Sequence, residues 1–170
     1  KDDVLVFKDD ETNTIVTMHL KYGFLHSEGD KPALIKTRTD GTKLSGEYYE
    51  KGVKKRKIEY RNGRKGEEEW FDEDGKTHRD GDKPAFCGWY ENGNLKWRQW
   101  WKNDEPHRDG DKPAICQWYV NGNLIEQLWY KNGELHRDGD KPAYCQWYEN
   151  GKIEVKAWYE NGRKLREIRN

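Results

Sequence analysis

One eight-residue segment of this chain recurs at a fixed interval. His78-Arg-Asp-Gly-Asp-Lys-Pro-Ala85 returns at His107–Ala114 and at His136–Ala143, each copy starting 29 residues after the previous one. A more divergent fourth copy lies at His26–Ala33. Self-similarity at a fixed period indicates units that cannot bury a core alone and therefore stack on their neighbours. Such arrays present a long surface to a partner, which favours a binding or scaffolding protein over an enzyme.

A shorter pattern, Trp-Tyr-x-Asn-Gly, lies inside the 29-residue unit. Its copies are separated by alternating steps of 11 and 18 residues, and the longer step contains the His-Arg-Asp-Gly loop. The copies start at Trp89, Trp118, Trp129, Trp147 and Trp158, with variants at Trp100 and, in the first half, at Thr37, Tyr48, Glu59 and Trp70. We therefore expect an N-terminal cap over residues 1–18 and a single repeat domain over 19–170. Full units are expected near 78–106, 107–135 and 136–164.

Asn-Gly pairs between aromatic and β-branched runs predict β-hairpins. Six pairs occur, starting at positions 62, 92, 121, 132, 150 and 161, and a type I′ turn needs positive φ at both central residues. Eleven residues accommodate one strand of about seven residues and a tight turn. No helical pattern is found. The sequence predicts an all-β fold, an elongated antiparallel β-hairpin meander or solenoid of tandem repeats that forms a curled single-layer ribbon.

Aromatic side chains supply the core of such a thin sheet. Only 32% of the residues are hydrophobic and 38% are charged, but nine Trp and ten Tyr argue against disorder. Strand alternation places Cys87 and Trp89, with their counterparts in later repeats, on one face. Trp100, Trp129 and Trp158 are predicted to point the other way, among charged residues. Either the sheet is curled and both aromatic faces are partly covered, or one column stays exposed for a partner. The second column is the candidate interaction surface.

Charge and cysteine usage narrow the functional class. The 32 basic and 32 acidic side chains give a formal net charge of zero, so no global field attracts nucleic acid or an anionic membrane. Cys87, Cys116 and Cys145 lie 29 residues apart, and we interpret them as small buried residues in a reduced compartment. Neither a signal-peptide pattern nor an apolar run of membrane-spanning length is seen. We expect a soluble intracellular protein.

The repeated loop admits a structural and a metal-binding interpretation. Asp-Gly-Asp favours a turn, and stacked copies would set Arg and Lys beside Asp in a ladder of ion pairs. Two carboxylates per loop could instead hold Ca²⁺, or a His-Asp pair a transition metal, but Ca²⁺ needs six to eight oxygens. We favour a structural role for these loop residues: His78, Asp80, Asp82, His107, Asp109, Asp111, His136, Asp138 and Asp140.

The same loop argues against catalysis. A catalytic site is one constellation, whereas this chain carries the same chemistry three times. No Ser/His/Asp order, phosphate-binding Gly loop or Cys-x-x-Cys zinc pattern is present. We therefore predict no enzymatic activity, no cofactor and no metal.

The densest basic run is Lys54–Lys57. It could be a nuclear-import signal or a phosphate-contacting patch. Glu67–Glu69 follows closely and would lie on the adjacent strand. A solvated charged strand is the favoured interpretation, and neither nucleic acid nor a membrane surface is a favoured partner.

Several motifs resemble a known repeat. The Trp-Tyr-x-Asn-Gly turns followed by Gly-x-x-His, at Gly23–His26, Gly75–His78 and Gly133–His136, are similar to the MORN repeat, a short β-hairpin unit of aromatics and glycines. The added Asp-Lys-Pro-Ala loop is similar to the MORN-like repeats of large DNA viruses of amoebae. The resemblance covers roughly residues 19–165, although this chain has His-Arg-Asp-Gly where the family continues His-Gly-x-Gly.

The resemblance implies a viral protein, in the host cytoplasm or the virion, whose repeats serve as a scaffold. Family members act as dimerisation elements and protein-interaction modules, so the expected partners are a second copy of the chain and other proteins. The alternative is a ligand-binding module for carbohydrate, a choline-like group or a phospholipid headgroup. Tandem Trp-Tyr hairpins are also similar to choline- and glucan-binding repeats, in which aromatic cages capture the ligand.

Overall fold

The computed structural model describes all 170 residues, which form 18 strands and no helix. The chain divides into two compact units, residues 1–76 and 77–170. Unit 1 contains β1 (Asp2–Asp9), β2 (Thr14–Lys21), β3 (Phe24–Leu25), β4 (Leu34–Arg38), β5 (Lys43–Glu50), β6 (Val53–Arg61) and β7 (Arg64–Trp70).

Unit 2 contains the three full copies of the repeated loop. Its strands are β8 (Phe86–Trp89), β9 (Leu95–Gln99), β10 (Trp101–Lys102), β11 (Glu105–Pro106), β12 (Ile115–Trp118), β13 (Leu124–Leu128), β14 (Tyr130–Lys131), β15 (Glu134–Leu135), β16 (Tyr144–Trp147), β17 (Ile153–Glu160) and β18 (Arg163–Arg169).

Both units are antiparallel meanders, as predicted. In unit 1 the strand order is β1-β2-β4-β5-β6-β7, with the short β3 paired to the end of β2. In unit 2 the order is β8-β9-β12-β13-β16-β17-β18, and β10–β11 and β14–β15 form two small separate ribbons. The expected cap over 1–18 corresponds to β1 and the first part of β2, which pair as a hairpin. The expected repeat domain over 19–170 falls in both units, divided after residue 76.

The Asn-Gly turns are of two kinds, which corrects the prediction of a type I′ turn at all six. Both residues have positive φ in the turns at Asn62, Asn132 and Asn161, as type I′ requires. At Asn92, Asn121 and Asn150 only the glycine has positive φ. These three turns are wider loops: Tyr90 N–H donates to Asn94 C=O at 2.8 Å, and the Asn92 side chain accepts from Asn94 N–H at 3.0 Å.

The buried face is the one expected from strand alternation. The alanine that ends each loop is fully or almost fully buried, as are the three cysteines two residues later: Ala85, Ala114, Ala143, Cys87, Cys116 and Cys145. Trp129 packs with Ala143 and Cys145, and Trp147 and Tyr159 cover this cluster. The core is therefore a row of small residues under large aromatic rings.

Candidate interaction surface

Two loops of unit 2, at 107–114 and 136–143, are built on a shared backbone frame. Trp129 N–H donates to Ala143 C=O at 2.8 Å, and His136 N–H donates to Trp129 C=O at 3.0 Å. The same two bonds join Trp100 to Ala114 and to His107, at 2.8 and 3.0 Å. Each of these two loops thus leaves the sheet beside a tryptophan and returns to the same tryptophan, which fixes the Trp and loop side chains relative to each other.

The arginine of each of these two loops lies over that tryptophan. The guanidinium carbon is 3.7 Å from the ring centroid for Arg108 over Trp100, and 3.9 Å for Arg137 over Trp129. Arg108 and Arg137 also donate to the carbonyl of the proline five residues on, Pro113 and Pro142, each at 3.2 Å. A stacked guanidinium gains cation–π attraction, which burial of the ring strengthens.

Of the two arrangements left open for the tryptophan column, the structure shows the covered one at Trp100 and Trp129. They are 8% and 7% exposed, and the third member, Trp158, is partly buried and covered by Arg166 at 4.0 Å. Strand alternation predicted charged neighbours for these tryptophans, and arginines do lie over the rings. The guanidinium planes shield the rings from solvent, so the surface consists of arginine and not of aromatic faces.

The second aspartate of one loop binds the basic residues of the next. Asp82 accepts from Arg108 Nε at 2.7 Å and from Lys112 Nζ at 2.6 Å. Asp111 repeats this with Arg137 and Lys141, both at 2.5 Å. The predicted ladder of ion pairs is therefore present, and it runs between consecutive loops.

This pairing changes the acidity of the carboxyl groups. Hydrogen bonds from Arg137 and Lys141 lower the pKa of Asp111 from 3.8 to about 2. The pKa of Asp82 is likewise lowered by Arg108 and Lys112. Both carboxylates are nearly half exposed, so water screens much of the attraction. The ion pairs therefore orient the loops more than they stabilise the fold.

The histidines also join one repeat to the next. His136 Nε2 lies 2.9 Å from Asp138 Oδ1, and its Nδ1 accepts from Asn161 N–H at 3.2 Å. His107 is placed in the same way, with Asp109 at 3.1 Å and Asn132 N–H at 3.2 Å. Because Nδ1 accepts a hydrogen bond, Nε2 is the ring nitrogen that donates to the aspartate. Hydrogen bonds from the two histidines lower the pKa of Asp109 and Asp138.

The C-terminal strand takes the place of a further loop. Arg166 on β18 stacks on Trp158 and pairs with Asp140, as the loop arginines do with their tryptophans and aspartates. Tyr148 donates its hydroxyl to Asn170 C=O at 3.3 Å, as Tyr119 does to Trp147 C=O at 3.2 Å. β18 thus closes the ladder at this end of unit 2.

Two clefts separate consecutive loops of unit 2. The cleft between the loops at 78–83 and 107–112 has a volume of about 480 Å³, and the one between 107–112 and 136–141 about 330 Å³. Each is lined by basic side chains and aspartates that largely pair with one another, over Trp100 or Trp129. The structure contains no group of three or more His, Cys, Asp or Glu side chains that could hold a metal ion.

The three cysteines and the basic run are both accounted for by local contacts. None of the cysteines forms a disulfide, and burial raises the pKa of the Cys116 and Cys145 thiols.

Each residue of the run 54–57 faces a glutamate: Lys54–Glu47 at 3.0 Å, Lys55–Glu73 at 3.8 Å, Arg56–Glu68 at 3.6 Å and Lys57–Glu59 at 2.6 Å. The run therefore lies on a charged strand, as favoured from the sequence, but its side chains are half-buried and paired and not fully solvated.

Comparison with known proteins adds no family to these observations. No protein-family model matches the chain, and no curated protein matches it. The chain contains no helix with the length and hydropathy needed to cross a bilayer.

A run of four consecutive exposed apolar side chains lies elsewhere, on β1. This strand is the last in its sheet and pairs only with β2. Its four central side chains are all exposed, at 58% for Val4, 43% for Leu5, 63% for Val6 and 53% for Phe7. An exposed apolar edge strand offers unpaired N–H and C=O groups to another strand. Sequence analysis missed this surface, although Val4–Phe7 is an apolar run in an otherwise charged chain.

Proposed function

We propose that this protein is a non-enzymatic, MORN-like repeat scaffold that binds other proteins and associates with itself. The observation that carries the proposal is the apolar edge of β1, with Val4, Leu5, Val6 and Phe7 all exposed. Edge strands of soluble proteins are usually short, charged or covered. An eight-residue edge with an apolar centre is better suited to pairing with another chain.

The loops support the same proposal by what their side chains already contact. Arg108 and Arg137 stack on tryptophans and pair with aspartates of the preceding loop. Two of the histidines bond an aspartate and a backbone N–H. These contacts hold one repeat against the next, and stacking of repeats builds an extended surface for partners.

The proposal is tested by the molar mass in solution. Light scattering or sedimentation over about a hundredfold range of concentration reports self-association directly, because dimerisation follows mass action. We expect twice the 20.4 kDa of the single chain, in both reducing and non-reducing buffer, because the cysteines are buried. A single-chain mass at every concentration would contradict self-association.

The alternative is a module that stacks a sugar or a choline-like group on its tryptophans. It receives less support, because arginine guanidinium groups lie 3.7–4.0 Å from the rings of Trp100, Trp129 and Trp158. A ligand would have to displace them. Under the scaffold proposal, titration with such ligands leaves the intrinsic tryptophan fluorescence unchanged. A saturable change would favour the alternative.

A further inference from the structure

The outer edge of β1 presents a defined set of backbone groups. Tyr22 N–H donates to Lys1 C=O at 3.0 Å, and β1 pairs with β2 in an unbroken register. Hydrogen-bonded pairs alternate along an antiparallel ladder, so Asp3, Leu5 and Phe7 direct their N–H and C=O groups towards β2. The residues between them direct theirs away from the sheet: Asp2, Val4, Val6 and Lys8.

From this alternation we infer that two copies of the chain pair antiparallel through β1, about a twofold axis at Leu5. The inference rests on the proposed self-association and names its surface. In this register Val4 lies opposite the partner's Val6, and Asp2 lies opposite the partner's Lys8. Both are pairs of outward-facing residues, so each can form two backbone hydrogen bonds. An interface of this kind is self-complementary and closes at the dimer.

The charges favour this register over the one with its axis at Val6. With the axis at Leu5, Asp2 faces the partner's Lys8 and Lys1 faces the partner's Asp9. With the axis at Val6, Asp2 would face the partner's Asp10. Opposite charges directly across a strand pair attract and like charges repel. The axis at Leu5 is therefore the one that joins apolar centres and oppositely charged ends.

The other outer strand has a different character. β18 carries Arg163, Lys164, Arg166 and Arg169 against the single acid Glu167. Two copies of β18 would repel each other. β18 against β1 of a second copy would be attractive, and this head-to-tail arrangement is the competing outcome that the experiment separates.

The experiment reverses one charge at a time on β1. In Asp2→Lys, the introduced lysine faces the partner's Lys8, and in Lys8→Asp, the introduced aspartate faces the partner's Asp2. Each variant alone is expected to dimerise about tenfold more weakly than wild type, because two attractive cross-strand charge pairs become repulsive. Mixed in equal amounts, the two variants have opposite charges at both ends and should form a 1:1 heterodimer. Asp2 and Lys8 are exposed, so neither change removes a core contact.

Sedimentation velocity of wild type, both variants, their mixture and the control Arg163→Asp on β18 separates the outcomes. Recovery of dimer in the mixture, with Arg163→Asp dimerising as wild type, supports the inference. Tighter association of Lys8→Asp together with weaker association of Arg163→Asp would show head-to-tail pairing and overturn it. Wild-type affinity in both β1 variants would also overturn it, while leaving self-association through another surface. A monomeric wild type would contradict the proposed function itself.

Discussion

Loops with the same backbone frame carry different side-chain chemistry in the two units. In unit 1, His26 N–H donates to His19 C=O at 3.1 Å and His19 N–H donates to Ala33 C=O at 2.7 Å. In unit 2, His107 makes the corresponding bond to Trp100 at 3.0 Å, and Trp100 to Ala114 at 2.8 Å. The alanine is fully buried in both cases. The divergent fourth copy predicted at His26–Ala33 is therefore a genuine copy in its backbone.

The two loops differ in the residues above the frame. His19 takes the place of the tryptophan and Ser27 the place of the arginine, and Ser27 Oγ accepts from Tyr49 N–H at 3.0 Å. Asp30, the counterpart of Asp111, forms no ion pair, whereas Asp111 binds Arg137 and Lys141. The comparison teaches that the loop conformation does not need the Arg–Trp–Asp contacts. Their role is to join one loop to the next.

Truncating the residue at the tryptophan position should produce the largest difference in stability loss between the two units. Trp129→Ala is expected to lower the free energy of unfolding by about 3–5 kcal/mol, because the ring packs on Ala143 and Cys145 in the core of unit 2. His19→Ala at the corresponding position should cost about 1 kcal/mol or less, the range for a partly buried polar side chain. Urea unfolding followed by circular dichroism measures both. Equal losses would mean that the tryptophan is not a core residue.

Enlarging the loop alanine should instead affect the two units alike. Ala143→Leu and Ala33→Leu each force a larger side chain into a fully buried site, and overpacking typically costs about 1–3 kcal/mol. Thermal unfolding of both variants checks this. Tolerance of leucine at only one of the two positions would break the claim that the frame is shared.

Removing a stacked arginine should cost less than removing its tryptophan. Arg137→Gln loses the cation–π contact and the bond to Asp111, together worth about 1–2 kcal/mol. Arg137→Lys keeps the charge but loses the stacked guanidinium. Its free energy of unfolding should lie between those of Arg137→Gln and wild type. The control is Arg163→Gln, an exposed arginine that forms none of these contacts, with an expected loss under about 0.5 kcal/mol. A loss no larger than that of the control would contradict the role assigned to Arg137.

Lowering the pH should produce the smallest of these changes in the free energy of unfolding. Arg137 and Lys141 lower the pKa of Asp111 in the folded chain to about 2, against 3.8, so its stabilisation is complete above about pH 5 and is lost progressively as the pH falls through 3.8 to below 2. The carboxylate is 45% exposed, and screening limits the contribution to about 1 kcal/mol or less. Asp111→Asn should therefore lower stability at pH 6 and have no effect near pH 2. Asp30→Asn in unit 1 is the matched control for the loss of the ion pair.

Period and parity predicted the antiparallel meander, the buried Ala–Cys face and the ion-pair ladder. They did not distinguish the turns, because Asn62-Gly63 and Asn92-Gly93 look identical locally. At the first, pairing continues to Arg61 and Arg64, so the loop is a two-residue type I′ turn. At the second, the last pair is Trp89 with Leu95, which leaves five residues in the loop. Nor could parity decide the exposure of Trp129, which depends on an arginine eight residues away. The spacing of eight residues recurs from Trp129 to Arg137 and from Trp158 to Arg166. This recurrence was the sequence signal that could have predicted the covering arginines.

A double-mutant cycle between Asp111 and Arg137 tests most directly whether these loops connect one repeat to the next. The free energy of unfolding is measured for wild type, Asp111→Asn, Arg137→Gln and the double variant, and the coupling energy is the departure from additivity. The contact at 2.5 Å between residues 26 apart predicts a favourable coupling of about 0.5–1 kcal/mol, the range for a partly exposed ion pair. Additive losses, with no coupling, would contradict the assignment of the loop charges to contacts between repeats.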